Sequence, residues 1–151
     1  SESMQKRAMR QIEQIEHRLS VRRTAGGITI IDDAYNSNPT GAKMALEVLR
    51  NFRRMEGGRR IVVTPGFVEL GERQAELNRE LGREIASACD IAIVVNKTNR
   101  EAISSGILGQ EFNKNNLIEV DSFADASARL ASMMRAGDVI LYENDLPDSF
   151  K

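Results

Sequence analysis

Gly27-Ile28-Thr29-Ile30-Ile31-Asp32-Asp33-Ala34-Tyr35-Asn36-Ser37-Asn38-Pro39-Thr40 passes from one kind of structure to another within fourteen positions. Ile28 to Ile31 form a β-branched run too short for a helix, so they read as a buried strand of a parallel sheet. Asp32 and Asp33 stand at its end. A polar loop follows, and beyond Pro39 the spacing of Ala42, Ala45, Leu46 and Leu49 becomes that of an amphipathic helix. In open α/β sheets ligands sit outside the carboxyl ends of strands. This end carries acceptors (Asp32, Asp33), amides (Asn36, Asn38) and an aromatic (Tyr35). The plainer alternative is a simple turn, with Asp33 or Ser37 as a helix cap. Adjacent strand residues point to opposite faces, so Asp32 and Asp33 are poorly placed as an acid/base pair; one of them can instead accept from a sugar diol.

Working outward, Leu19 and Val21 alternate with Ser20 and Arg22 as in an edge strand, and Gly26-Gly27 turns the chain into the strand at 28–31, which is expected at the centre of the sheet. Upstream, Met4, Ala8, Ile12 and Ile15 share a helical face over 4–17. Ser1 to Ser3 are read as linker or expression residues. Residues 1–16 are thus a linker and N-terminal helix, and 17–151 the folded domain. Downstream, a helix over 41–55 stops at Gly57-Gly58 and Ile61-Val62-Val63 forms a strand. Thr64-Pro65-Gly66-Phe67-Val68-Glu69-Leu70-Gly71-Glu72 is a loop that either lines the same crevice or merely connects to the next helix. Helices over 74–88, 100–108 and 124–134 alternate with strands over 91–95, 117–120 and 139–142, with Met133 and Met134 as core filler. From Glu143 onward a third acidic segment follows a strand end. The pattern predicts an α/β fold: a three-layer, Rossmann-like domain with a mostly parallel sheet of about six strands, helices on both faces and right-handed crossovers.

A chain of 151 residues suits one such domain without disulfides or metals. With 21 Lys+Arg against 22 Asp+Glu, the net charge of -1 gives no reason to expect nucleic acid or an anionic membrane. Cys89, the single cysteine, is expected as a structural thiol in a reducing compartment. No apolar run reaches the length of a membrane span, and a cytoplasmic location is expected. His17 has no partner at a ligand spacing, so no metal site is expected. There is no Gly-x-x-x-x-Gly-Lys-[Ser/Thr], no Gly-x-Gly-x-x-Gly after the first strand and no Gly-x-Ser-x-Gly. Triphosphate cradling, dinucleotide binding and nucleophilic hydrolysis therefore lack their usual signatures.

Asp32-Asp33-Ala34-Tyr35-Asn36-Ser37-Asn38-Pro39, preceded by His17-Arg18-Leu19 and followed by the 62–72 stretch Val-Val-Thr-Pro-Gly-Phe-Val-Glu-Leu-Gly-Glu, resembles the C-terminal domain of the Mur ligases, most closely the MurF type. That resemblance covers nearly the whole chain. It implies one of three domains of an ATP-dependent ligase of peptidoglycan precursor synthesis, the one that closes over ATP and receives the incoming amino acid or dipeptide. It further implies Arg18 at the γ-phosphate, Asp33 at the ribose hydroxyls, and Tyr35, Asn36 and Asn38 on the loop beside adenine and the cleft. The implied cofactors are ATP and Mg in the full-length enzyme, none held tightly by this domain alone. The implied partners are a UDP-muramoyl-peptide, an amino acid or D-alanyl-D-alanine, and the N-terminal and central ligase domains. Lacking the P-loop and metal-binding acids, the domain is expected to be inactive alone. Where many members have Gly-Asp-Met and Lys-Gly-Ser, this chain has Thr64-Pro65-Gly66-Phe67-Val68 and Glu143-Asn144-Asp145, which leaves the incoming amine open. The competing readings are a free-standing, non-catalytic nucleotide-binding or docking module and, more weakly, a folate-polyglutamate type of ligase, which leaves the Tyr-Asn-Ser-Asn-Pro loop unexplained.

Overall fold

The computed structural model describes residues 19–33, 38–53 and 57–143. Strand β1 (Ser20–Arg23) turns into β2 (Thr29–Asp33). Then come α1 (Pro39–Asn51), β3 (Arg60–Thr64), a short 3-10 turn (Gly71–Arg73) running into α2 (Gln74–Ala88), β4 (Ile91–Val95) and α3 (Arg100–Leu108). A second 3-10 turn (Lys114–Asn116), β5 (Leu117–Val120), α4 (Phe123–Met133) and β6 (Val139–Glu143) complete the described chain. The residues at 4–17 lie outside the described residues, so the helix expected there is not part of this account.

One six-stranded sheet runs in the order β1-β2-β6-β3-β4-β5. β1 pairs antiparallel with β2; the other pairings are parallel. The strand expected at the centre is therefore second from the edge. β6 enters between β2 and β3, and it and β3 hold the middle. The β-branched run misleads because only one face of β2 is fully covered: Ile31 is buried, whereas Ile30 on the opposite face is half-buried.

Side-chain alternation sends each strand into two cores. On one face Ile31, Val62, Val94 and Leu141 meet Ala42, Leu46 and Leu49 of α1, Leu81 and Ile85 of α2, and Ile103 and Ile107 of α3. On the other, Ile61, Val63, Ile93 and Ile140 meet Phe123, Ala126 and Leu130 of α4. Each fully buried Leu or Ile contributes about 2–3 kcal/mol of apolar burial. Met133 packs against the second core, but Met134 is 40% exposed and fills nothing, because it caps the helix and leaves its apolar stripe. α2 and α3 cross backbone to backbone. A Cβ on Gly82 would overlap the Ile103 carbonyl oxygen, and one on Gly106 that of Arg79.

At the amino end of the sheet Asp138, fully buried, accepts from the Arg59 amide (3.1 Å), Arg59 Nε (3.1 Å), Arg59 Nη2 (2.7 Å) and the Arg135 amide (2.9 Å). Four donors on one carboxylate tie the entries of β3 and β6 together and hold Asp138 below the ordinary carboxylate range despite its burial. Helix α1 ends at Asn51, short of the expected Gly57-Gly58 stop. Arg60 sets that end, donating from its guanidinium to the Leu49 and Phe52 carbonyls that the helix leaves open. Among the described residues no helix is long and apolar enough to cross a membrane.

Candidate functional site at the carboxyl end of the sheet

The carboxyl ends of β2, β6 and β3 lie side by side. Register pairs Asp33 with Glu143 and Val63 with Tyr142, which sets Thr64 next to Glu143. Asp33 follows Ile31 in alternation, Glu143 follows Leu141 and Thr64 follows Val62, so all three occupy the face covered by α1 to α3. All are buried, with exposures of 1%, 0% and 1%. Asp33 is thus buried at its strand end, and Glu143, expected to open an acidic segment beyond the strand, is instead the last residue of the strand. A strand that continues one pleat beyond its apolar run carries its terminal acid inward with it.

Thr64 Oγ1 donates to Glu143 Oε2 at 2.7 Å and accepts from the Gly66 amide at 2.9 Å. Glu143 Oε1 is buried with no hydrogen-bond partner among the described residues. Burial pushes the Glu143 carboxyl up to about 8; the Thr64 hydrogen bond opposes this and the neighbouring Asp33 charge adds to it. Asp32 faces the opposite side, paired with Tyr142. Burial pushes the Tyr142 phenol up and Asp32 adds to this, while Arg22 opposes it.

Asn38 caps α1. Its Oδ1 accepts from the Gly41 amide at 2.8 Å, with Pro39 in the first turn. The cap is thus the third polar candidate in the loop, not Asp33 or Ser37. Arg18, Tyr35 and Asn36 lie outside the described residues, as do Ser37 and His17. Asp33 and Asn38 are the candidates the structure places, and both stand where β2 gives way to α1.

The 64–72 loop is anchored by side chains that sequence reading passed over. Phe67 is buried, its amide donates to Asn78 Oδ1 (2.8 Å), and its carbonyl accepts from Gln74 Nε2 (2.6 Å), Asn78 Nδ2 (3.1 Å) and Asn99 Nδ2 (2.8 Å). Asn99 also donates to the Pro65 carbonyl, Gln74 donates to Asn99 Oδ1, and the Leu70 amide donates to Gln74 Oε1. Gly66, at φ +80°, passes so close that a Cβ there would meet Asn78 Oδ1 at 2.5 Å and Ile103 Cδ1 at 2.6 Å. The signal was present in the sequence: Asn78 stands on the same helical face as Leu81 and Ile85, and a buried amide needs partners.

Two depressions flank this end. One of about 220 Å³ runs between Pro39, Thr40 and Lys43 of α1 and Phe67, Leu81 and Glu84. The other, about 510 Å³, is lined by Gly71, Glu72, Gln74, Arg79, Asn99 and Ser105. Cys89 is half-buried at the end of α2, its thiol donating to the Ile85 carbonyl and pushed up by burial. Among the described residues no group of three or more His, Cys, Asp or Glu is placed to hold a metal ion. A carboxylate at a strand end suits hydroxyl donors, such as a sugar diol, better than phosphate oxygens.

A family model for "Mur ligase, glutamate ligase domain" matches residues 17–142. The UDP-N-acetylmuramoyl-tripeptide--D-alanyl-D-alanine ligase of Bacillus subtilis (strain 168) is 28% identical over 128 residues, which is 83% of this chain and 27% of the relative. The UDP-N-acetylmuramate--L-alanine ligase of Mycolicibacterium smegmatis is 30% identical over 132 residues, 85% of this chain and 27% of the relative. Among solved structures, the MurF ligase of Thermotoga maritima in complex with ADP superposes with a TM-score of 0.68 at 28% identity, over 85% of this chain and 27% of that one. The chain thus spans about a quarter of the length of the proteins it matches.

Proposed function

Because the chain belongs to the Mur ligase family, as its glutamate ligase domain, we propose that it works as the C-terminal part of an ATP-dependent amide-bond ligase, closing over the nucleotide and receiving the incoming amine. In that reaction ATP phosphorylates the carboxylate of a UDP-muramoyl-peptide, and an amine then attacks the acyl phosphate, forming the amide and releasing phosphate. Arg18 would neutralise charge on the transferring phosphoryl group, and Asp33 would accept from the ribose hydroxyls. Tyr35, Asn36 and Asn38 would border the adenine and the cleft. ATP and its Mg would be held chiefly by the rest of the ligase, and rotation of this domain would complete the site.

One observation carries this reading: Asp33 ends a parallel strand at the edge where α/β sheets bind ligands, in a domain that superposes on one from an ADP-complexed ligase. Steady-state kinetics of the intact ligase test it. Asp33→Asn should raise the KM for ATP about tenfold with kcat little changed, because ribose contacts are alike in ground and transition states. Arg18→Ala should lower kcat by about two orders of magnitude. The isolated chain should neither hydrolyse ATP nor ligate. Turnover by the chain alone, or an Asp33→Asn enzyme with an unaltered KM, would overturn the assignment. The two relatives act on different amines by their names, so the amine here is to be found by offering L-alanine and D-alanyl-D-alanine side by side.

A further inference from the structure

The loop after β3 turns at Val68-Glu69 between two apolar anchors. Phe67 is buried, and Leu70 packs against the same core. One side chain closes the turn: Gln74, at the start of α2, donates to the Phe67 carbonyl at 2.6 Å and accepts from the Leu70 amide at 3.0 Å. Gln74 Nε2 also donates to Asn99 Oδ1 (2.7 Å), and the buried Asn99 is itself bonded to the Pro65 and Phe67 carbonyls, which fixes the clamp. The two residues between the anchors are left facing solvent. Val68 is 51% exposed, and Glu69 is exposed. Glu69 has φ +62°. Apart from glycines, only Asn96 shares that left-handed region among the described residues, and asparagine adopts it far more readily than glutamate. The chain thus keeps a carboxylate where the backbone favours glycine, and that carboxylate makes no hydrogen bond or ion pair among the described residues. Backbone strain at an exposed residue that bonds to nothing in its own fold points to a task outside the fold.

We propose that Glu69 is a specificity residue for the incoming amine, its carboxylate pairing with the substrate's ammonium while Val68 covers the small aliphatic group beside it. The proposal rests on the reading of this chain as the amine-receiving part of a Mur ligase. An unpaired carboxylate takes a cation, and in that reaction the amine is the organic reactant that arrives with an ammonium to offer; ATP and a UDP-muramoyl-peptide are anionic and would be repelled. The loop also springs from the right place. It begins at Thr64, in one row of strand ends with Glu143 and Asp33, and Phe67, directly before the tip, lines the 220 Å³ depression together with Pro39 and Thr40 of α1. Two other cations compete for the same carboxylate: a basic side chain from the rest of the ligase, and the Mg that accompanies ATP.

Steady-state kinetics of the intact ligase separate the three, with L-alanine or D-alanyl-D-alanine, whichever it ligates, as the varied substrate. Glu69→Gln should raise the KM for the amine about tenfold and leave the KM for ATP and for the UDP-muramoyl-peptide unaltered. The same compound with hydroxyl in place of the ammonium, used as a competitive inhibitor, should inhibit wild type and variant equally, since it brings no charge for Glu69 to hold. Glu69→Gly should show the same rise in amine KM while the urea midpoint of the 151-residue chain goes up, because glycine relieves the backbone and no contact within the fold is lost. An amine KM unchanged in Glu69→Gln would overturn the proposal, and so would a lowered midpoint in Glu69→Gly, which would show that the carboxylate serves the fold. Equal rises in the KM for amine and for ATP would give the tip to a contact with the rest of the ligase, and a rise reversed by excess Mg would give it to the metal. An intact protein that ligates neither amine overturns the proposed function and this role with it; a working ligase whose amine KM ignores Glu69 overturns this role alone.

Discussion

Replacing Gly66 by alanine tests whether the amide anchor on the 64–72 loop constrains the backbone or merely decorates it. Two costs can be separated. An L-residue at φ +80° pays about 1–2 kcal/mol for the left-handed conformation. The new methyl would also meet Asn78 Oδ1 at 2.5 Å and Ile103 Cδ1 at 2.6 Å. Asn78 cannot swing aside without releasing the buried Phe67 amide, and an orphaned buried polar group costs about 1–3 kcal/mol. Together these give about 2–5 kcal/mol for Gly66→Ala. Gly71 is the internal control: it has φ +60° and nothing within 4 Å of a Cβ, so Gly71→Ala should cost only the backbone part, about 1–2 kcal/mol. Urea unfolding of both variants, followed by circular dichroism, measures the difference. Equal losses would show that the loop yields freely and that Gln74, Asn78 and Asn99 do not hold it.

Further outcomes follow from the same geometry. Asp138→Ala leaves the Arg59 guanidinium half-buried without its carboxylate and should lower stability by about 3 kcal/mol at pH 7, read as a shift in urea midpoint. Asp138 sits below its unfolded value of about 3.8, so its contribution is complete above that pH and lost as pH falls through the folded value; the gap between wild type and Asp138→Ala should close in acid. Glu143 has the opposite sign. Its carboxyl rises from about 4.5 unfolded to about 8 folded, so wild type should lose stability relative to Glu143→Gln across that window and no further above it, by up to about 5 kcal/mol. Thermal melts at pH 5, 7 and 9 would show it, and a constant difference would refute it. The Cys89 thiol, pushed up by burial, should resist a disulfide reagent in the folded chain and react on unfolding.

The alternation of strands and helices was legible because each element carries its period on its surface. Ile91 to Val95 is apolar throughout and is buried throughout, and the 74–88 and 100–108 helices fall where their stripes begin and end. The hairpin into β2 was equally plain. Strand order was not, since nothing local to Val139-Ile140-Leu141 says that it inserts between two strands formed earlier. Asp33 and Glu143 were legible as acids at strand ends but their burial was not, because an acid at a strand end is usually wet and only the third dimension shows that they share the face covered by α1 to α3. The Arg60 and Asn99 bonds were invisible for a related reason. Each satisfies backbone groups of a distant segment, and a long polar side chain in sequence gives no hint of which carbonyl it will reach.

The position of β6 has a bearing on how the chain is made. Thr29 pairs in register with Val139, and Ile61 with Ile140, so the middle of the sheet is filled by the last described strand to be synthesised. Until that segment clears the ribosome, β2 and β3 have no common neighbour, and each holds an open, apolar edge of the kind that recruits other chains. The β3-β4-β5 half, with α2 and α3 already crossed, can assemble early from nearby contacts. The β1-β2 hairpin must wait, and its closure across so long a loop sets the pace of folding. A nascent chain halted before Val139 therefore has its sheet in two unjoined pieces, with the acid-bearing edge not yet complete.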